Sequence, residues 1–147
     1  MIFSKATGYG IRALAFLASN SNSIHGGLCG LSEIAEHEKI PPVYLRKILG
    51  ELRRHRLLRS VKGIHGGYEL ARPSESITLW DVFRVLEPDP YIDACILGHG
   101  VCTPACVCSL HDDWQMIRNE FVEMLQTKTI FEIASQTRRS GDAPTDK

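Results

Sequence analysis

The sequence predicts a mainly α-helical chain that carries one small β-hairpin, and three observations lead to this fold class. Apolar residues recur at steps of three and four in several segments, which is the spacing of a buried helix face. Prolines at 41 and 42 and a T-x-x-D run from Thr78 mark helix starts. In residues 58–71, two β-prone runs flank a Gly-rich centre, which predicts a hairpin.

The helices are expected in a definite order along the chain. The predicted segments are 5–19, 31–38, 42–56, 79–87, 109–127 and a short final helix after Thr129. Ser4 is expected to cap the first helix, and capping boxes are expected at Thr78 to Asp81 and at Thr129 to Glu132. The long helix 109–127 has an apolar side that needs a partner surface, so we expect it to pair with its own copy in a homodimer.

Positive charge is concentrated in the middle of a chain that is neutral as a whole. The 147 residues include 17 Lys+Arg and 17 Asp+Glu. Between Lys39 and Lys62, however, eight residues are basic and only Glu51 is acidic. A focused cationic stripe of this kind is typical of a polyanion site. Because it covers the second of two helices joined by a tight turn, it indicates a helix-turn-helix.

The hairpin comes directly after this helix-turn-helix, and this order of elements predicts a winged helix. The start of the third helix is expected to enter the major groove of double-stranded DNA. The candidate groove-reading residues there are Val43, Tyr44, Arg46 and Lys47. Arg53 and Arg54 are expected to contact phosphates or solvent. The wing residues Lys62, Gly63 and His65 are expected to reach a neighbouring groove or the backbone.

Four of the five cysteines lie within 14 residues, in a segment that also contains Gly98, Gly100 and Pro104. These are Cys95, Cys102, Cys106 and Cys108. Thiolates that converge in a loop are typical of a soft metal or an iron–sulfur cluster. The C-x6-C-x3-C-x-C spacing differs from the paired spacing of structural zinc and from the C-x2-C-x2-C run of bacterial ferredoxins. Cys29 stands alone and is expected to be structural or incidental.

These features predict a four-part organisation. Residues 1–87 are expected to form the DNA-binding domain, 88–108 a cysteine-rich loop, 109–135 the dimerisation and closing helices, and 136–147 a disordered tail. The composition, with 44% hydrophobic and 23% charged residues, is ordinary for a soluble protein. No membrane span or secretory signal is visible and the cysteine count is odd, so a cytoplasmic location is expected. No catalytic motif stands out, so an enzyme is not expected.

Three runs between residues 31 and 73 resemble the Rrf-type bacterial transcription regulators. They read L-x-x-I-A, Y-L-x-x-I-L-x-x-L-R and S-V-x-G-x-x-G-G-Y-x-L-A-R-P. This family includes the iron–sulfur regulator IscR, the nitric-oxide sensor NsrR, the iron regulator RirA and the cluster-free cysteine regulator CymR. The resemblance implies a homodimer that reads a pseudo-palindromic operator in double-stranded DNA. It extends to about residue 135.

The cysteine segment resembles the IscR-like branch, in which three spaced cysteines precede a histidine and then a tryptophan. In this chain those positions hold Cys95, Cys102, Cys108, His111 and Trp114. A second register, in which Cys102-Thr-Pro-Ala-Cys106 resembles the NsrR-like branch, makes Cys106 the third ligand instead. That branch takes its fourth ligand from an acidic residue near the N-terminus of the partner subunit, where this chain has Gly8. Another branch uses a glutamate and a histidine in the first helix, where this chain has Gly8 and Arg12.

His111 is therefore the remaining fourth ligand by resemblance. Three thiolates and one imidazole imply a 2Fe–2S cluster, with 4Fe–4S as the alternative. The implied function is DNA binding modulated by that cluster in response to iron, redox state or nitric oxide. Two alternatives remain: a winged-helix repressor with zinc or a thiol switch in the loop, and a small iron–sulfur electron-transfer or carrier protein.

Overall fold

The computed structural model describes residues 3–21, 27–87, 91–105 and 107–137. In that part of the chain, six α-helices surround one core and a two-stranded antiparallel hairpin extends from it. The helices are α1 Lys5–Asn20, α2 Leu31–Glu38, α3 Pro42–Arg54, α4 Leu79–Leu86, α5 His111–Thr127 and α6 Ile130–Thr137. The strands are β1 Leu58–Val61 and β2 Gly67–Leu70. The predicted fold class is confirmed.

All three predicted helix caps are present. The Ser4 hydroxyl accepts the Thr7 backbone N–H at 3.2 Å. At α4, Thr78 N–H donates to the Asp81 carboxylate at 3.0 Å while Asp81 N–H donates to the Thr78 hydroxyl. The same reciprocal pair joins Thr129 and Glu132 at α6. Each box satisfies N–H groups that a helix start leaves without a partner.

The core is built around α1, which packs against α2, α3, α4 and α6. Leu14, Leu45, Leu49 and Ile130 are fully buried there. A short backbone bridge joins the starts of α4 and α6, because Leu79 N–H donates to the Lys128 carbonyl at 2.9 Å. Helices α1 and α6, the first and the last of the described helices, therefore pack together in one core.

A partly buried carboxylate joins the end of α4 to the start of α1. The Ser4 N–H and the Thr7 hydroxyl both donate to Glu87 Oε1 at 2.7 Å. Burial raises the pKa of Glu87, but the hydrogen bonds from Thr7 and Ser4 outweigh it, so the net pKa lies below its ordinary value. Thr7 is fully buried, so this carboxylate provides an acceptor where water cannot.

Cys29 adds a third short segment to the wing. Its N–H donates to the Tyr68 carbonyl at 3.0 Å, and Tyr68 N–H donates back at 2.8 Å. Glycine is required at 67, since a Cβ there would lie 2.7 Å from the Cys29 carbonyl oxygen. Burial and the nearby Glu33 carboxylate raise the pKa of the Cys29 thiol to about 11. Cys29 is thus a core residue, as expected for a structural cysteine.

Several predicted boundaries differ from the observed ones. Helix α3 ends at Arg54 rather than near 56, because Arg56 adopts a left-handed conformation with φ 61° that turns the chain into β1. Helix α5 begins at His111 rather than at 109. Helix α6 includes residues 136 and 137, and residues 138–147 of the predicted tail lie outside the described residues. Residues 22–26, between α1 and α2, also lie outside the described residues.

None of the helices in the described ranges is both long enough and apolar enough to cross a lipid bilayer.

Candidate nucleic-acid interface and cysteine segment

Helix α3 presents a clear division between a buried and an exposed face. Leu45, Leu49 and Leu52 are fully buried against the core. On the other side Val43 is 76% exposed and Tyr44 is 42% exposed. Arg46 and Lys47, in the following turn, are also exposed. The first two turns of α3 thus offer apolar, aromatic and cationic groups to a polyanion, as the amphipathic pattern predicts.

The cations along α3 differ in how they are paired. Arg54 forms an ion pair with Glu51 at 3.0 Å, and Arg53 donates to the Ser60 hydroxyl of β1 at 3.4 Å. Among the ion pairs of the described residues, none includes Arg46 or Lys47. The charge near the start of the helix is therefore available to a phosphate, while Arg53 helps to join α3 to the wing.

The wing tip is a turn closed by glycine. Gly66 N–H donates to the Gly63 carbonyl at 3.0 Å, and Gly63 has φ 112°, which disfavours a residue with a side chain. Lys62, just before this turn, and His65, within it, are both exposed. Arg59, in contrast, pairs across the strands with Glu69 at 2.6 Å, so its charge is partly neutralised. The structure thus places Lys62, Gly63 and His65 together at the tip.

The cysteine segment, residues 91–108, folds back on itself at its beginning. Cys95 N–H donates to the Gly100 carbonyl at 2.7 Å, and Cys102 N–H donates to the Asp93 carbonyl at 2.7 Å. An antiparallel bridge joins Ala94 to Val101. These bonds form a short closed turn with Cys95 and Cys102 at its two ends.

The end of that turn meets the start of α5. The sulfur of Cys102 lies 3.1 Å from Nδ1 of His111, the first residue of the helix. Cys108 precedes the helix, and its carbonyl accepts the His111 N–H at 3.1 Å. The thiol beside His111 is that of Cys102.

The predicted ligand set is only partly assembled. Cys95, Cys102 and Cys108 are all half-buried, and Cys106 lies outside the described residues. Among the described His, Cys, Asp and Glu residues, no three side chains lie close enough together to hold one metal ion. The donor types suit a soft metal or a cluster, and one thiol–imidazole pair is adjacent. The complete set of ligands stays a prediction.

Trp114, which the sequence identifies only as part of a family motif, joins two parts of the structure. Trp114 Nε1, one turn into α5, donates to the Ala94 carbonyl at 2.9 Å. The indole therefore fastens α5 to the first turn of the cysteine segment. The spacing from His111 to Trp114 hints at a common site, but no sequence pattern identifies Ala94 as the acceptor.

Comparison with known proteins identifies the family. Residues 3–136 match the family model described as Rrf2, an iron-dependent transcriptional regulator. The chain belongs to the Rrf2 family. The resemblance that the sequence motifs predict is thereby confirmed.

Relatives of this Rrf2 protein agree with that assignment. It is 32% identical over 132 residues to an Aquifex aeolicus protein described as an HTH-type transcriptional regulator, covering 88% of this chain and 89% of the relative. The structure of CymR, the global cysteine regulator of B. subtilis, matches with TM-score 0.78 and 27% identity over 92% of this chain and 97% of CymR. IscR of T. potens matches with TM-score 0.74 and 26% identity over 96% and 91%.

This Rrf2 protein is accordingly a helix-turn-helix transcriptional regulator that binds DNA, and its homologues are regulators rather than enzymes. IscR and CymR both have its fold. The family assignment alone therefore leaves open whether the cysteine segment holds a cluster.

Proposed function

We propose that this protein is a homodimeric regulator whose binding to a pseudo-palindromic operator changes with an iron–sulfur cluster held by the cysteine segment. The observation that carries the proposal is the 3.1 Å approach of Cys102 Sγ to His111 Nδ1 at the first residue of α5. A thiol and an imidazole placed side by side, with two further thiols in the same segment, form a donor set suited to iron.

The proposed ligands are the thiolates of Cys95, Cys102 and Cys108 and the imidazole of His111, with Cys106 as the alternative third thiolate. An imidazole ligand among three thiolates favours 2Fe–2S, with 4Fe–4S as the alternative. When bound, such a cluster supplies a centre that responds to redox state, iron supply or nitric oxide. His111 would hold its proton on the nitrogen that is not used as a ligand, since a neutral imidazole is the ligating form.

On the DNA side, the start of α3 would enter the major groove. Val43 suits the thymine methyl group, Tyr44 base edges or sugar, and Arg46 and Lys47 guanine edges or flanking phosphates. Arg53 and Arg54 would lie nearer the phosphate backbone, and Lys62, Gly63 and His65 of the wing would reach the neighbouring groove.

The dimer would form along α5. Met116, Ile117 and Met124 are 57%, 53% and 41% exposed on this helix, which is unusual for large apolar side chains. Burial against a second copy would remove this surface from water. Because α5 starts at His111, a change at the ligand residue would act directly on the helix that sets the spacing of the two DNA-reading halves.

Ile117→Glu should convert the dimer to a monomer in sedimentation experiments, and an unchanged dimer would contradict this interface.

Anaerobic purification tests the cluster. We expect brown protein with visible absorbance and with iron and acid-labile sulfide bound. Cys102→Ala and His111→Ala should lower the iron and sulfide content, whereas the matched control Cys29→Ala should retain both. A colourless parent protein without iron would contradict the proposal. If operator affinity were the same with and without the cluster, the cluster would not be the switch.

The DNA surface has its own test. Lys47→Ala should weaken binding to a duplex selected from a random library and reduce the slope of log affinity against log salt by about one. Glu36→Ala, on the exposed side of α2, is the control for a charge change outside the interface. An unchanged slope would mean that Lys47 contacts no phosphate.

A second candidate keeps the DNA-binding function and replaces the cluster by zinc or by a thiol switch. It is favoured by the finding that the described residues bring two donors together rather than three or four. Bound zinc in a colourless protein, or operator affinity that changes with a thiol oxidant in metal-free protein, would support this alternative.

A further inference from the structure

Arg12, in the middle of α1, holds the end of the first helix of the helix-turn-helix. Its Nε donates to the Glu38 carboxylate at 3.0 Å, and its Nη2 donates to the Glu38 backbone carbonyl. Glu38 is the last residue of α2, where backbone carbonyls lack helical partners. The guanidinium therefore caps α2 from another helix and places a positive charge at its C-terminal end.

The other side of the same guanidinium faces an aromatic pair. Its central carbon lies 5.7 Å from the centroid of the Tyr9 ring, within the range of a cation–π contact. Tyr9 in turn meets the ring of Tyr44 with centroids 5.8 Å apart and planes at 86°, an edge-to-face arrangement. A continuous set of contacts thus runs from the end of α2 through α1 to the exposed start of α3.

We propose that Arg12 is a positioning residue for DNA recognition, which fixes the Tyr44 ring and the start of α3 relative to the turn between the two helices. This inference rests on the proposed function, in which Tyr44 faces the major groove. One arginine supports both elements because its Nε and Nη2 bond to Glu38 while its central carbon lies over the Tyr9 ring. A lysine offers a single ammonium group and cannot hold both.

Direct phosphate binding by Arg12 is the main competing explanation, since its side chain is 47% exposed. Two of its nitrogens are, however, already bonded to Glu38, whose side chain is only 15% exposed. The two roles differ in what they predict. Positioning affects recognition of the correct sequence, whereas phosphate contact strengthens binding to any DNA.

The experiment measures the affinities of parent, Arg12→Ala, Arg12→Lys, Tyr44→Ala and the Arg12→Ala/Tyr44→Ala double variant. Each is titrated with the library-selected operator duplex and with a random duplex, at several salt concentrations. Arg12→Ala should weaken operator binding by about tenfold and random-duplex binding by less than about twofold, with an unchanged salt slope. Arg12→Lys should show most of the same loss. In the Tyr44→Ala background, Arg12→Ala should cause no further loss.

Three outcomes would overturn the proposal. Equal losses on both duplexes with a smaller salt slope would assign Arg12 to a phosphate contact. Additive losses in the double variant would separate Arg12 from Tyr44. A lower melting temperature with unchanged affinities would leave Arg12 a purely structural role. Should Arg12→Ala not fold, Glu38→Gln keeps the backbone carbonyl and should show a smaller loss that is likewise confined to the operator.

The same data separate this inference from the proposed function. If Tyr44→Ala and Lys47→Ala both bound the operator as tightly as the parent, the surface assigned to DNA would be wrong. If both weakened binding and the Arg12 and Glu38 variants did not, only the positioning role would be wrong.

Discussion

The reading head, residues 31–70, and the cysteine segment, residues 91–108, are held in place by different means. The reading head contributes fully buried side chains such as Ile34, Leu45 and Leu49 to the core, and its strands are paired along their length. The cysteine segment is fixed by a few backbone bonds, by Trp114 and by the Cys102–His111 contact. Its apolar residues Leu97 and Val101 are more than half exposed.

The two regions therefore differ in the free energy that holds each of them in place. Burial of apolar side chains stabilises the head by several kcal/mol, whereas each hydrogen bond in the segment contributes about 1 kcal/mol. The segment can therefore rearrange at a cost that ligand binding could offset, while the DNA-reading surface keeps its shape.

Truncating a core leucine of the head should have the largest effect. Leu49→Ala removes a fully buried side chain, and we expect the free energy of unfolding to fall by about 2–5 kcal/mol. The matched substitution in the segment, Leu97→Ala, should cost less than about 0.5 kcal/mol because that side chain is 55% exposed. Urea titrations followed by circular dichroism measure both. Similar losses in the two variants would refute the contrast.

Glu87, which joins the end of α4 to the start of α1 outside both regions, should have the next largest effect. Glu87→Ala leaves the buried Thr7 hydroxyl and the Ser4 N–H without their acceptor, which should cost about 1–3 kcal/mol. Because the pKa of Glu87 is lower in the folded than in the unfolded protein, its ionised carboxylate stabilises the fold at pH values above the unfolded-state pKa of about 4. This stabilisation is lost as the pH falls through the folded-state pKa. Glu87→Gln keeps an acceptor and should lack that part of the acid dependence. Identical acid profiles for parent and Glu87→Gln would contradict the assignment.

Loss of the indole bond should loosen the segment while the head stays intact. Trp114→Phe removes the donor to the Ala94 carbonyl and should cost about 1 kcal/mol. Hydrogen exchange by mass spectrometry should show faster exchange in residues 93–102 and unchanged protection in α3. Trp80→Phe is the control, since Trp80 stacks on Phe83 away from the segment. Faster exchange in both regions would mean that they open together.

Thiol labelling compares the two regions without perturbing either. In folded, metal-free protein at pH 8, iodoacetamide should modify the half-buried Cys95 and Cys108 and spare Cys29. A pKa of about 11 leaves only about one Cys29 in a thousand as thiolate at that pH, and its side chain is almost fully buried. In guanidinium all five cysteines should react. Cys29 lies just before the head and pairs with its residue Tyr68, so rapid labelling of Cys29 in the folded protein would show that the head opens as readily as the segment.

Periodicity and capping motifs predicted most of the helices and strands of the described residues. The leucine stripe of α3 specified its buried face, so its exposed residues followed from the same 100° rotation. The start of α5 was misplaced because Leu110 continues the apolar spacing, although no side chain caps the helix there. Periodicity locates a buried face but does not determine which residue begins the helix.

Pairings between distant segments could not be predicted in this way. Arg12 with Glu38, Cys29 with Tyr68 and Cys102 with His111 depend on how helices and turns pack, and none has a local signature. The candidate ligands themselves could be identified from the sequence, because four cysteines in a Gly-containing loop are unusual. Their relative positions depend on the turn between residues 93 and 102, which has no sequence period.

The packing of α6 on α1 has a consequence for synthesis of the protein. The ribosome makes α1 first and α6 last, yet Ile130 of α6 is fully buried in the core that α1 organises. The nascent chain cannot complete this core until Thr137 has left the exit tunnel. Every earlier intermediate therefore exposes part of the apolar surface of α1 to chaperones and proteases.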